Sequence, residues 1–412
     1  MFRLLKSSLC LSLAALMLFS AGCGKESSSE SESSAVSDVE KTTAQATKPT
    51  KPVDSSKPAS IDEMDATSDS AQVDDSKITF NTLEIKRNIS EIEEKLENYM
   101  NLCHFRGAVY TKIGNDFEYH TETGAANQGA HVDNSIYTGF YTGSLTKLFT
   151  AVAVMKLVED NGLKLDTTID KYFPKCSYAK DVTIKQLLTM TSGIPNYIDR
   201  EGAKTLTPSL KEKISGNEPY DELHKTVLEW ILSQKRFGDD ESYLFSDSNY
   251  YLLGDIIAAE SKMTYEEYIE KIILKPVFMT KTSFAANETT SRPYVDNDDS
   301  ALLMNEGMGY SSFGLISNVS DLLRFVDSLM SYQILTPDSL GEMFKDYGNG
   351  YGYGAHVNGN RVSCVGKLDA YSAKLSFTSD RNQIFVALSN YSDSDPNYLH
   401  IMFRNYMLKY SN

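Results

Sequence analysis

Thr142-Gly143-Ser144-Leu145-Thr146-Lys147-Leu148-Phe149-Thr150-Ala151-Val152-Ala153-Val154 is the stretch whose chemistry organises the rest of this chain. A Gly-Ser start opens a run that is apolar nearly all round, the pattern of a helix buried on every side. Residues three apart share one helical face, so the Lys147 amine falls within hydrogen-bonding reach of the Ser144 hydroxyl. A lysine in the first turn opposes the helix dipole, and burial disfavours its charge. Both effects favour an amine able to take a serine proton. A second Ser-x-x-Lys, Ser177-Tyr178-Ala179-Lys180, follows Pro174 in a loop and lacks that helical context.

Before this helix, Ile89 to Leu102 has apolar residues at helical spacing, and Phe105 to Thr111 and Phe117 to Thr123 read as a strand pair. After it, helical patterns recur at Ile184 to Thr189, Thr226 to Ser233, Tyr250 to Ser261 and Tyr265 to Ile273. Strand patterns return at Tyr351 to Val357, Arg361 to Val365, Tyr371 to Thr378 and Ile384 to Asn390, with a last helix over Asn397 to Leu408. Strands at both ends and helices between predict an α/β (α+β) fold in which distant segments close one sheet around a helical insertion.

Four blocks then stand in order: the Ser144 helix; Leu187-Leu188-Thr189-Met190-Thr191-Ser192-Gly193-Ile194-Pro195-Asn196-Tyr197; Asn249-Tyr250-Tyr251-Leu252-Leu253-Gly254; and Gly314-Leu315-Ile316-Ser317 leading to Asp321-Leu322-Leu323-Arg324-Phe325. Over Phe105 to Asn390 the chain resembles the class C β-lactamases, penicillin-binding proteins and D-alanyl-D-alanine carboxypeptidases. The resemblance implies an antiparallel sheet flanked by helices with an inserted helical region. It also implies an acyl-enzyme at Ser144, a peptide, ester or β-lactam-like substrate, and no metal or organic cofactor.

Only the first of that family's three motifs is intact. Where the second is usually Tyr-x-Asn, the chain reads Phe245-Ser246-Asp247. A phenyl ring has no proton to relay. Asp247, if close to Lys147, would pair with it and hold it protonated; it would otherwise serve as base, or Ser246 would supply the missing hydroxyl. The third motif, usually a Lys or His two residues before a Gly, reads Cys364-Val365-Gly366. Its cation is lost, yet an oxyanion hole from the backbone amides of Ser144 and Lys367 needs no particular side chain. A catalytically inactive member that binds a wall peptide or partner protein is the alternative reading.

The formal net charge of −16 over 412 residues argues against nucleic acid as a partner. Arg3 and Lys6 precede an apolar run from Leu9 to Phe19, shorter than a bilayer span, and Ala21-Gly22-Cys23 follows. This predicts a lipoprotein signal over residues 1–22 and lipid attachment at Cys23, on the extracytoplasmic face of the cell membrane. Residues 23–80, rich in Ser, Thr, Pro and acids, read as a disordered tether, and 85–412 as the hydrolase domain. Of five cysteines, Cys103, Cys176 and Cys364 remain for that domain, so at most one disulfide can form there.

Overall fold

Segments about 270 to 280 residues apart in the chain meet in a single sheet. The computed structural model describes residues 78–199, 205–214, 218–238, 242–295, 298–299 and 306–411; the expected signal, Cys23 and nearly all of the tether lie outside them. The elements that carry the argument are α1 (Ile89–Leu102), β1 (Gly107–Ile113), β2 (Phe117–Thr123), α2 (Thr146–Asn161), α3 (Tyr220–Ser233), α4 (Asp247–Ser261) and α5 (Val319–Met330). They are followed by β3 (His356–Asn358), β4 (Arg361–Leu368), β5 (Tyr371–Thr378), β6 (Gln383–Ser389) and α6 (Pro396–Met407).

The six strands pair in the order β3-β4-β5-β6-β1-β2, and every pairing is antiparallel. The early strand β1 thus lies beside the late strand β6, in register from Gly107 opposite Ser389 to Ile113 opposite Gln383. Period-two alternation decides what each face covers. Val109 and Ile113 of β1 pack with Ile92, Leu96, Leu399 and Phe403 from the terminal helices α1 and α6. Ala108 and Tyr110 belong to the larger core built on α2, α4 and α5. With both faces covered, β5 has no exposed residue along its length. The mixed α/β fold with an antiparallel sheet and flanking helices is as the sequence predicts.

Three local readings need correction. Tyr351 to Val357 is not one strand: only His356–Asn358 runs as a strand, and Tyr351 to Ala355 form a loop against α2 that turns back on itself through a single bridge between Tyr351 and His356. Gly354 sits there at φ +79°, and a Cβ on it would lie 2.5 Å from the Lys147 carbonyl oxygen, so the turn is set by close backbone contact rather than by apolar pattern. Helix α3 begins at Tyr220, not Thr226, because Pro219 and the acidic first-turn pair Asp221 and Glu222 favour an early start that no apolar periodicity marks. The pattern at Tyr265 ends as α-helix at Ile269 and continues as a π-turn over Glu270–Leu274. Helix α5 had no counterpart among the predicted helices. Its start is fixed by the Asn318 side chain, which accepts from the Asp321 amide at 2.9 Å.

Cys103, Cys176 and Cys364 are all free. No helix of the described residues is long and apolar enough to cross a membrane.

Candidate active site

Ser144 stands in a 3-10 turn, Gly143–Leu145, that leads directly into α2. The Thr146 hydroxyl donates to the Gly143 carbonyl at 2.8 Å, bracing the turn from the next residue. One helical turn on, Lys147 donates to Ser144 Oγ at 2.9 Å and is only 1 % exposed. The contact expected from the three-residue spacing is therefore made. The other Ser-x-x-Lys is different: Ser177 and Lys180 are both exposed.

Asp247, at the first position of α4, reaches the same lysine. Lys147 Nζ donates to Asp247 Oδ1 at 2.7 Å and to the Ser312 carbonyl at 3.2 Å. An ammonium has three hydrogens, and Ser144 Oγ, Asp247 Oδ1 and the Ser312 carbonyl accept them. The carboxylate is fully buried and takes further hydrogen bonds from Asn196 Nδ2 at 3.1 Å and the Ser312 hydroxyl at 3.1 Å. Its place in the first turn of α4 adds the favourable end of a helix dipole. Opposite charge at this distance, with donors on both carboxylate oxygens, favours the ion pair over the neutral pair. Burial and the helix dipole favour an amine, but the resting lysine here is an ammonium because Asp247 at 2.7 Å outweighs both.

Phe245 puts its ring 5.0 Å from Lys147 Nζ, where a cation meets the π face but no hydroxyl is offered. Ser246 does not replace that hydroxyl. It is fully buried, its Oγ finds no hydrogen-bond partner in the described residues, and it is not among the residues lining the cleft. Asn196 and Ser312 are the residues that sequence reasoning missed. Asn196 lay inside a block read as packing, and its signal was an amide directly after Pro195; Ser312 acts partly through its backbone, which no motif shows.

The opposite wall is β4. A Cβ on Gly366 would lie 1.8 Å from the Thr142 carbonyl oxygen and 3.2 Å from the Ser144 amide nitrogen. Only a glycine lets these two backbones touch. A Cβ on Gly143 would likewise lie 2.5 Å from the Lys367 amide nitrogen. The main chain of Gly366 and Lys367 is thus pressed against that of Thr142 to Ser144. Cys364 is buried, with Sγ 3.9 Å from the Gly354 carbonyl, and burial pushes its thiol up to about 12. It is a thiol at neutral pH, a packing group and not a second nucleophile.

Between these walls lies a cleft lined by Ser144, Lys147, Phe245, Tyr351, His356 and Cys364, with about 380 Å³ of open space counted out to solvent. His356 comes from the segment read as strand; its ring stands edge-on to Tyr351, with centroids 4.9 Å apart.

The profile of the β-lactamase family matches residues 92–401, three quarters of the sequence. The chain belongs to the β-lactamase family. Among curated members, a putative penicillin-binding protein, PbpX, of Bacillus subtilis is 27% identical over 314 residues, which is 72% of this chain and 73% of that one. A penicillin binding protein from Bacillus halodurans superimposes with a TM-score of 0.65 at 24% identity, over 76% of this chain and 99% of that one. A D-amino acid amidase from Ochrobactrum anthropi does so with a TM-score of 0.62 at 17% identity, over 77% and 99%. At those identities the two structures establish the shared fold. Family membership places the chain among the β-lactamase-fold serine hydrolases.

Proposed function

We propose that this protein is a serine hydrolase that forms an acyl-enzyme at Ser144 on a peptide, ester or amide substrate, β-lactams included, and releases it slowly. The carrying observation is the 2.9 Å hydrogen bond from Lys147 to Ser144 Oγ at the base of a cleft. No metal or organic cofactor enters the scheme. Ser144 Oγ attacks the substrate carbonyl carbon while the oxyanion is held by the Ser144 and Lys367 amides. The serine proton must go to Lys147, which accepts it only after passing one of its own to Asp247 at 2.7 Å. The proton then returns through Lys147 to the leaving group. Deacylation repeats the sequence with water, and without a phenol at position 245 the proton has a poorer route, so the acyl-enzyme is long-lived.

The test is the intact mass of the purified protein after incubation with a fluorophosphonate and with benzylpenicillin. Each is expected to add one adduct that is absent in Ser144→Ala. A second reading, a retired enzyme that binds a wall peptide or partner protein in the same cleft, is favoured by the buried Lys147–Asp247 pair, which keeps the lysine from acting as a base. Unmodified mass with both reagents decides for it.

We further propose that residues 1–22 are a lipoprotein signal, that Cys23 carries the lipid, and that residues 23–80 tether the 85–412 domain to the outer face of the cell membrane. Support comes from the sequence: Arg3, Lys6, the Leu9 to Phe19 run and Ala21-Gly22-Cys23. Substituting Cys23→Ala is expected to move the protein from the membrane pellet to the soluble fraction, because the stable hold of two or more acyl chains is then lost. Retention in the pellet would sink the anchor.

A further inference from the structure

Ser312 reaches the Lys147–Asp247 pair from a one-turn helix, Tyr310–Phe313, and the backbone that delivers it is unusual. Tyr310 stands at φ +39°, in the left-handed region, although it carries a bulky side chain and is buried. Such a conformation costs free energy and persists only where the surroundings impose it.

Three rings impose it here. His224 of α3 stands edge-on to the Tyr310 ring with centroids 4.6 Å apart, Tyr251 of α4 is tilted against it at 5.1 Å, and Tyr265 meets it edge-on at 5.1 Å. His224 is itself held from two sides: Nε2 donates to Asp255 Oδ1 at 3.0 Å, and Nδ1 meets the Tyr251 hydroxyl at 2.9 Å. A Cβ on Gly254 of α4 would lie 2.4 Å from the Tyr310 ring, so this helix leaves the ring no room to turn.

The main chain beyond is tied to the helices that carry the site. The Thr150 hydroxyl of α2 donates to the Ser311 carbonyl at 2.6 Å, and the Ser311 hydroxyl donates to the Tyr250 carbonyl of α4 at 2.8 Å. One residue on, the Ser312 carbonyl accepts from Lys147 at 3.2 Å and the Ser312 hydroxyl donates to Asp247 Oδ1 at 3.1 Å. A clamp on Tyr310 therefore fixes, two residues away, both contacts that Ser312 makes with the ion pair.

We propose that Tyr310 is a positioning residue of the Ser144 site: its clamped, left-handed backbone sets the placement of Ser312 and, through it, the aim of Lys147 at Ser144 Oγ. The inference rests on the acyl-enzyme reading of Ser144. It concerns the chemical step rather than the hold on substrate, because Tyr310 is not among the described residues that line the cleft. Alanine at this position keeps the penalty for a positive φ and loses the rings that offset it, so the segment relaxes and Ser312 shifts. Phenylalanine keeps the ring contacts and gives up only the hydroxyl.

Time courses of Ser144 acylation by benzylpenicillin over a range of concentrations, read by intact mass on the purified full chain, test it. Tyr310→Ala is expected to lower the limiting acylation rate about tenfold to a hundredfold, the cost of a misaimed group, while the half-saturating concentration changes less than about threefold. Tyr310→Phe is expected to restore the rate to within about twofold of wild type, since the ring contacts survive. Should Tyr310→Ala melt early, Tyr310→Leu, which keeps most of the volume but not the ring faces, is read in its place. A second readout needs no acylation: the losses in denaturation midpoint from Tyr310→Ala and Asp247→Asn should fall short of adding in the double variant, because both act on the Ser312–Asp247 contact. A wild-type limiting rate in the alanine and leucine variants, a slow Tyr310→Phe, a change confined to the half-saturating concentration, or additive midpoint losses would each overturn the proposal. If the wild-type protein is not acylated at all, the Ser144 reading falls, and the stability coupling alone decides whether Tyr310 positions Ser312.

Discussion

Substituting Phe245→Tyr together with Asp247→Asn is expected to raise the turnover of a β-lactam or D-alanyl peptide by about a hundredfold to ten-thousandfold, the usual worth of a positioned acid or base. The two changes act on different parts of one proton route. The tyrosine puts an O–H on a ring now 5.0 Å from Lys147 Nζ, close to where a leaving group must be protonated. The asparagine removes the carboxylate 2.7 Å from that nitrogen and so lowers the cost of forming the amine. Either change alone leaves the other fault in place, so the double variant should exceed the product of the singles. Pre-steady-state acylation and deacylation rates separate the steps. If the double variant acylates at Ser144 yet deacylates no faster than wild type, the route through positions 245 and 247 is wrong.

Much of this site was legible in the sequence because it rests on helix geometry. Three residues of spacing put Lys147 on Ser144, and the all-round apolar run after Leu148 marked the buried helix that holds them. The glycine at 366 was legible through its motif, and the 1.8 Å approach to the Thr142 carbonyl gives the physical reason for it. What sequence could not give was distance across the fold. Asp247 is a hundred residues from Lys147, and spacing along a chain says nothing about whether they touch. Asn196 and Ser312 were hidden for the same reason, since their roles exist only once α4 has docked against α2. The segment from Tyr351 to Ala355 misled because strand propensity reports side chains that fit a pleated surface. Its path is set instead by a loop backbone packed on α2, with Gly354 against Lys147.

Replacing Lys147 by Met is expected to destabilise the protein by about 3–5 kcal/mol, while the double variant Lys147→Met with Asp247→Leu should come back to within about 1 kcal/mol of wild type or exceed it. The asymmetry comes from what each single change leaves behind. Lys147 and Asp247 are 1 % and 0 % exposed, so water cannot solvate a survivor. Removing the lysine leaves a carboxylate with the Asn196 and Ser312 donors but no counter-charge in the pair. Removing the acid is milder, because the remaining lysine can shed its proton and become an amine with Ser144 and the Ser312 carbonyl still beside it. The stability order is then the double variant within about 1 kcal/mol of wild type or above it, Asp247→Asn below wild type, and Lys147→Met lowest. Chemical denaturation read by tryptophan fluorescence and by circular dichroism measures it. Were Lys147→Met as stable as wild type, the pair would be solvated in solution, and the ion pair would no longer account for a lysine withheld from Ser144.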